Sequence, residues 1–423
     1  MPNVYKTRLR LILWLLLLLV VTGGLVWMRF AHDAVRASTV AAEGKTPAAR
    51  EHTSTSNSSG SPGTPGTNPK TSAMDKTPAP SRLPPPDAAL LARFKAFYTR
   101  LLGGMSRDEA LAALKDLKQR VHDLPPETAA STLIALLQSG EDASTGLAFV
   151  VGDEGVLDES PTYRVALLDL LGQTDPDATV AYSRTLLTET TRPDEYALGL
   201  RNLAWLNHDG ELNREIGSCF AAMLNRDEWR AHPTAGYLEA FDIAAALGGT
   251  SMVAELSSVL RLTTPQGEVI QSAVNRATFI ALDRIMLREP DTIAGLYAGD
   301  PTFLDFAPNH RASLLARLDP TAPAQEQALR VYLLSLPPES RELTYFAKVF
   351  PNGNFFEGNR LASSWETAST TATGPQRDQA VLNFVNTLLA DKAYASVASP
   401  LQTIRTRLQS FASDSSTTPA APH

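Results

Sequence analysis

From Leu11 to Met28 the chain reads LILWLLLLLVVTGGLVWM, apolar and without a charge. At 1.5 Å per helical residue this run is about 27 Å long, close to the roughly 30 Å hydrocarbon layer of a bilayer. Trp14 and Trp27 lie near its ends, the depth that amphipathic rings favour. After Asp87 the pattern changes to short stripes of helical period. Leu111, Leu114, Leu117 and Val121 form one stripe. Val381, Phe384, Val385, Leu388 and Leu389 form another, and Leu401, Ile404, Leu408 and Phe411 a last one. Ser106-Arg107-Asp108-Glu109 is a capping-box signature. Ser160-Pro161, Asp175-Pro176, Thr264-Pro265 and Ser399-Pro400 each read as an N-cap followed by Pro in the first turn. Strand-like alternation is nearly absent. Leu147–Val151 is the best strand candidate and could equally be a buried helical turn.

The stripes come in pairs. Tyr163–Leu171 with Ala178–Leu187 reads as one helical hairpin, and Tyr196–Leu206 with Leu212–Leu224 as the next. Leu124-Pro125-Pro126-Glu127-Thr128 is echoed by Leu336-Pro337-Pro338-Glu339-Ser340, each between two helical stripes. Hairpins recurring at such intervals are the mark of a stacked helical array, which escapes the size limit of a single core. The segment from Arg164 to Gly172, followed by Asp175-Pro176-Asp177-Ala178, resembles a HEAT-type repeat: apolar helix, Asp/Pro turn, second apolar helix. The spacing is also similar to tetratricopeptide units, although their Trp-Leu-Gly-Tyr pattern is missing. The resemblance covers about two hairpins and implies an all-α fold, a helix-hairpin array or α-solenoid. It implies scaffolding or partner binding by analogy of fold.

Composition divides the chain. Between Thr46 and Pro86 stand nine Pro and fourteen Ser or Thr with almost nothing apolar, so burial cannot offset the entropy of ordering. The expected organisation is a short N-terminus (1–10), a transmembrane helix (11–28), a disordered linker (29–86), a helical domain (87–413) and a short tail (414–423). Lys6, Arg8 and Arg10 precede the apolar run with no acid among them, which puts the N-terminus in the cytoplasm. The run exceeds the usual signal-peptide core, and bulky Trp27, Met28 and Phe30 follow Gly23-Gly24, so a retained anchor is expected. The main domain then lies on the periplasmic or extracytoplasmic side of the inner membrane. Residues 1–86 carry six more basic than acidic side chains, so the net −7 leaves −13 for the rest. That balance argues against nucleic acid. The lone Cys219 cannot form an internal disulfide.

Familiar catalytic signatures are missing. The chain has no HExxH, CxxC, GxSxG or P-loop, and its seven histidines lie outside metal-ligand spacing. No metal or cofactor is expected. Asp153, Glu154, Asp158 and Glu159 form an acidic loop without EF-hand spacing, read as a solvated turn. Trp205, His208 and Asp209, with Trp229 and His232 about one hairpin later, could bind a sugar or act as acid and base. The segment Phe350–Arg360, PNGNFFEGNR after its first Phe, breaks the helical rhythm with turn formers around two aromatics. Loops that interrupt a repeat array carry binding. Asn354, Phe355, Phe356 and Asn359 are therefore the leading binding candidates, with Trp205 and Trp229 beside them. The expected function is a membrane-anchored, displayed scaffold for a protein partner. The alternative is a helical-toroid enzyme on an envelope or secreted polysaccharide, using His208, Asp209 and His232.

Overall fold

The computed structural model describes residues 83–262, 272–354, 356, 358–362 and 374–415. The expected transmembrane helix at 11–28 lies outside the described residues, as do most of the linker and the end of the tail. Among the described residues no helix is long and apolar enough to cross a membrane.

The fold is all-α with one small hairpin. Helices α1 (Ala88–Leu102), α2 (Arg107–His122) and α3 (Pro126–Gln138) precede strands β1 (Val150–Val151) and β2 (Leu157–Glu159). Next come α4 (Tyr163–Leu171), α5 (Pro176–Glu189), α6 (Pro193–Trp205), α7 (Asn213–Leu224) and α8 (Asp227–Ala231). They are followed by α9 (Ala235–Glu239), α10 (Phe241–Leu247) and α11 (Gly249–Arg261). The last part holds α12 (Ser272–Arg288), α13 (Pro290–Gly299), α14 (Pro308–Leu315), α15 (Pro323–Ser335) and α16 (Arg341–Val349). It closes with α17 (Pro375–Ala390), a 3-10 turn (Lys392–Val397) and α18 (Ala398–Ser415).

Local chemistry sets the helix starts. Ser106 and Glu109 form the reciprocal capping box at α2. Asp87, Thr162, Asp175 and Ser340 cap α1, α4, α5 and α16 through their side chains. Pro occupies the first turn of α3, α5, α6, α13, α14, α15 and α17, where its missing N–H costs nothing. Two start signals shift. Thr162 takes the cap expected of Ser160, whose carbonyl instead accepts from the Thr145 hydroxyl at 2.5 Å in the base of the hairpin. Ser399-Pro400 falls inside the first turn of α18, because the 3-10 turn runs directly into it. Of the strand candidate Leu147–Val151, only Val150–Val151 is strand, paired antiparallel with Leu157–Glu159.

Packing sorts the helices into two rows. In the first, α4, α6, the α9–α10 pair, α12, α14, α16 and α18 each touch the next, and α2 lies beside α4. The second holds α1, α3 and α5, then α7, α11, α13, α15 and the 3-10 turn. Helices α4, α6, α10 and α12 of the first row are covered on most sides; all of α4 except Arg164 is buried. Of the two expected hairpins the second forms, with α7 packed on α6, whereas the first does not: α4 packs on α3 and α6, and α5 on α6, rather than α4 on α5. An Asp-Pro turn fixes where the chain reverses, and not which neighbour shares the larger face. The two Leu-Pro-Pro segments also differ in place. Pro126 opens α3, whereas Ser340 caps α16 two residues after Pro338.

Candidate functional site

Helices α4, α6, α10 and α12 of the first row each carry a charged residue inside an apolar run, and these pair across the row. Asp169 of α4 meets Arg201 of α6 at 2.5 Å, both side chains fully buried. Asp242 of α10 meets Arg284 of α12 at 2.9 Å, and Asp283 of α12 meets Arg317, just past α14, at 2.5 Å. In all three the acid lies on the earlier helix and the base on the later one. At the helix N-termini the order reverses. Arg164 holds Glu195 through two nitrogens, and Arg311 holds Glu342 likewise, each pair 31 residues apart. On α12 burial opposes ionisation. It lowers the Arg284 guanidinium to about 10 despite the facing Asp242, and raises Asp283 against the pull of Arg317.

Across this row lies the segment from Phe350 to Ala362. Its main chain is read by the row's charges, one helix after another. At α14 the Asn352 amide donates to the Ala316 carbonyl at 2.7 Å. The Asn352 side chain donates to the Ser313 carbonyl and hydroxyl, both at 3.1 Å. Arg317 donates to the carbonyls of Asn352 and Asn354. At α12, Arg284 donates to the carbonyls of Gly358 and Asn359, and the Asn359 side chain donates to the Ala277 carbonyl at 2.9 Å. Where α9 meets α10, the Glu239 carboxylate accepts from the amides of Asn359 (3.3 Å) and Arg360 (2.6 Å). Asp242 accepts from Ala362 at 2.9 Å. The segment ends beside the hairpin: a Cβ on Gly155 would lie 2.3 Å from the Leu361 carbonyl and 3.0 Å from the Trp205 ring.

The sequence candidates fall into two groups. Asn354, Phe356 and Asn359 all belong to the crossing segment, and Trp205 lies at its end. Asn354 is exposed, with its amide on the Asn352 side chain at 3.0 Å. Phe356 is half-buried and meets Phe279 edge-on at 5.2 Å; Phe279 stacks on His310 at 4.4 Å. Asn359 is buried with φ of 52°, a left-handed conformation that Asn tolerates better than most residues. Trp205 carries the Arg201 guanidinium 4.0 Å above its ring. Phe355 lies outside the described residues.

Trp229 is elsewhere. It is buried against Tyr196 and Tyr237, with the Arg226 guanidinium 4.2 Å from its ring. Tyr196 opens α6 and Trp205 closes it, so these two aromatics are separated by about 13 Å of helix axis. His208, Asp209 and His232 are exposed, and Asp209 accepts from the Glu211 amide at 3.2 Å within its own turn. The two aromatic-imidazole groups thus occupy opposite ends of α6. Among the described residues no three His, Cys, Asp or Glu side chains could hold a metal ion.

Sequence reasoning missed Asp169, Arg201, Glu239, Asp242, Asp283, Arg284 and Arg317. Several carry a legible signal: a charge inside an apolar run, as in Leu168-Asp169-Leu170, Phe241-Asp242-Ile243 and Leu282-Asp283-Arg284-Ile285. On an exposed face such a charge would interrupt nothing; within a helix apolar on all sides it must be paired. No family model, no curated protein and no solved structure matches this chain.

Proposed function

We propose that this is a single-pass membrane protein with its N-terminus in the cytoplasm, which displays an α-solenoid outside the cytoplasmic membrane to hold a partner protein. The apolar run at 11–28 would be the anchor and the Pro/Ser/Thr-rich stretch the tether. The two helix rows, with two Arg–Glu pairs that each span 31 residues, support the solenoid reading. One observation carries the functional reading: the first row grips an extended polypeptide by its main chain, across several successive helices. The buried Asp242, Arg284 and Arg317 and the half-buried Glu239 supply the partners. A surface of this kind suits protein binding, since every polypeptide offers the same amides and carbonyls. The polysaccharide-enzyme alternative needs Trp205, His208 and Asp209 to converge with Trp229 and His232, and no observation brings them together.

The test uses the full chain in its native membrane, with a C-terminal reporter that is active only after export. A photo-crosslinking residue replaces Gly353, which is exposed within the crossing segment, or Leu111, which is 40% exposed on α2. The expected result is an active reporter and a reproducible protein crosslink from position 353 that is absent from 111. A cytoplasmic reporter, or equal crosslinking from both positions, overturns the proposal.

A further inference from the structure

The crossing segment is held differently from a loop that belongs to a core. From Asn352 to Ala362 the described residues bury little apolar surface, chiefly Leu361 and part of Phe356, whereas Phe350 before them belongs to the core, stacked on Phe346 at 4.8 Å. Its main-chain groups are satisfied by residues far away in sequence, 120 or more positions for the contacts to Glu239 and Asp242. Those same row residues do not depend on it for charge balance. Asp242 faces Arg284 and Asp283 faces Arg317 whether or not a polypeptide lies across them. A track of this kind remains neutralised when the segment leaves. Buried ion pairs with such mutual compensation avoid the large penalty of an isolated buried charge.

We propose that residues 352–362 are an internal ligand, and that the track they fill takes in their place a segment of a partner protein. The partner segment would carry Asn at two positions seven apart and Leu two beyond the second, matching Asn352, Asn359 and Leu361. Among the described residues these are the buried side chains after Pro351; apart from the half-buried Phe356 against Phe279, the remaining contacts read main chain. The proposal rests on the reading of the domain as a protein-binding array, and it adds an autoinhibited state. A tethered ligand acts at an effective concentration of the order of millimolar. The affinity for a competitor is therefore reduced by the fraction of molecules whose track is open.

The experiment uses the full chain in detergent micelles and a labelled synthetic peptide with the sequence of residues 349–363. The variant Asn352→Ala/Asn359→Ala weakens the internal segment and leaves the track intact. It is expected to bind the peptide one-to-one and at least tenfold more tightly than the unaltered chain. Adding Glu239→Ala, which removes the acceptor for two segment amides, should weaken that binding about tenfold. A peptide with both Asn replaced by Ala should also bind at least tenfold more weakly. Equal affinity for variant and unaltered chain overturns the proposal, as does no binding by a variant that keeps its helical spectrum and cooperative melt. A dimer formed by exchange of the segment between two copies overturns it as well. Should the variant not fold, hydrogen exchange on the unaltered chain decides. The amides of Asn359, Arg360 and Ala362 should exchange at least a hundredfold faster than those of Ala281–Ile285 in α12, and equal protection overturns the proposal. A crosslink from position 353 with no peptide binding would leave the scaffold function standing and remove only the internal ligand.

Discussion

The two ends of the first helix row apply one device to two different segments. Near the N-terminal end, Arg201 meets Asp169 at 2.5 Å and donates to the Gly155 carbonyl at 3.1 Å. Towards the C-terminal end, Arg317 meets Asp283 at 2.5 Å and donates to the carbonyls of Asn352 and Asn354. Each pair is accompanied by an Arg–Glu pair of identical spacing. What differs is the segment being held. The β1–β2 hairpin supplies much of its own bonding, with the Gly152 amide on the Val156 carbonyl at 2.7 Å and Leu157 on Asp169 only 12 residues away. The 352–362 segment borrows nearly all of its partners from the row. A segment that satisfies its own polar groups is built into the fold, whereas one that borrows them can be exchanged.

The largest test of the shared device is to leave one charge unpaired. Asp169→Leu strands Arg201, which is fully buried, and should cost about 3–5 kcal/mol in urea unfolding. Adding Arg201→Met should recover most of that loss, because the two apolar side chains need no partner. If the double change is no more stable than the single one, the ion pair is not what the position requires. The next effect joins the two held segments. Gly155 has φ of 79°, and its carbonyl neighbour Leu361 would lie within a van der Waals radius of any added Cβ. Gly155→Ala should cost about 1–2 kcal/mol from the left-handed backbone alone. It should also loosen the segment's end, read as faster exchange of the Ala362 amide with α4 unchanged. Unchanged exchange at Ala362 would separate the hairpin from the segment.

A smaller change acts on the exchangeable segment only. Asn359→Ala removes the bond to the Ala277 carbonyl and the residue type best suited to φ of 52°. Its expected cost is about 1 kcal/mol, seen as roughly fivefold faster exchange at Arg360 and Ala362 while the Leu157 amide keeps its protection. Equal loosening at both sites would mean that the two segments open together, and the contrast between them would fail.

Much of the helical architecture was legible from local chemistry. The capping box at Ser106, the Asp175-Pro176 start and the apolar stripes are short-range signals, and each forms a helix where its residues predict one. The partner of α4 was not legible, since that helix is buried on nearly every side and its apolar residues mark no single face. The break in rhythm after Phe350 correctly marked an irregular segment, and Asn359 and Phe356 do make its contacts. Where that segment runs depends on Glu239 and Asp242, more than a hundred residues earlier, and no local pattern encodes such a distance. Trp229 shows the opposite failure. A Trp near a helix end looks like a binding platform, but three aromatic and guanidinium neighbours assembled by tertiary packing make it core.

The smallest expected effect concerns His310, which reaches the segment through a stack of rings. The imidazole lies 4.4 Å from Phe279 at 21°, and Phe279 meets Phe356 at 5.2 Å. It also borders a cavity of about 620 Å³ with Arg261 and Asp305. Burial lowers its pKa below the ordinary 6.5, so the unfolded chain binds the proton more readily than the folded one. The folded state therefore keeps its full stability above about pH 6.5 and loses some of it as the pH falls through and below that value. His310→Phe preserves a ring on Phe279 and removes the proton site. The difference in melting temperature between pH 5 and pH 7 should narrow in this variant, while exchange at Arg360 at pH 7 stays as it was. An unchanged difference would mean that the folded environment does not penalise the imidazolium. Acid would then have no purchase on the Phe356 contact, and the hold on the exchangeable segment would rest on the Arg–Asp pairs alone.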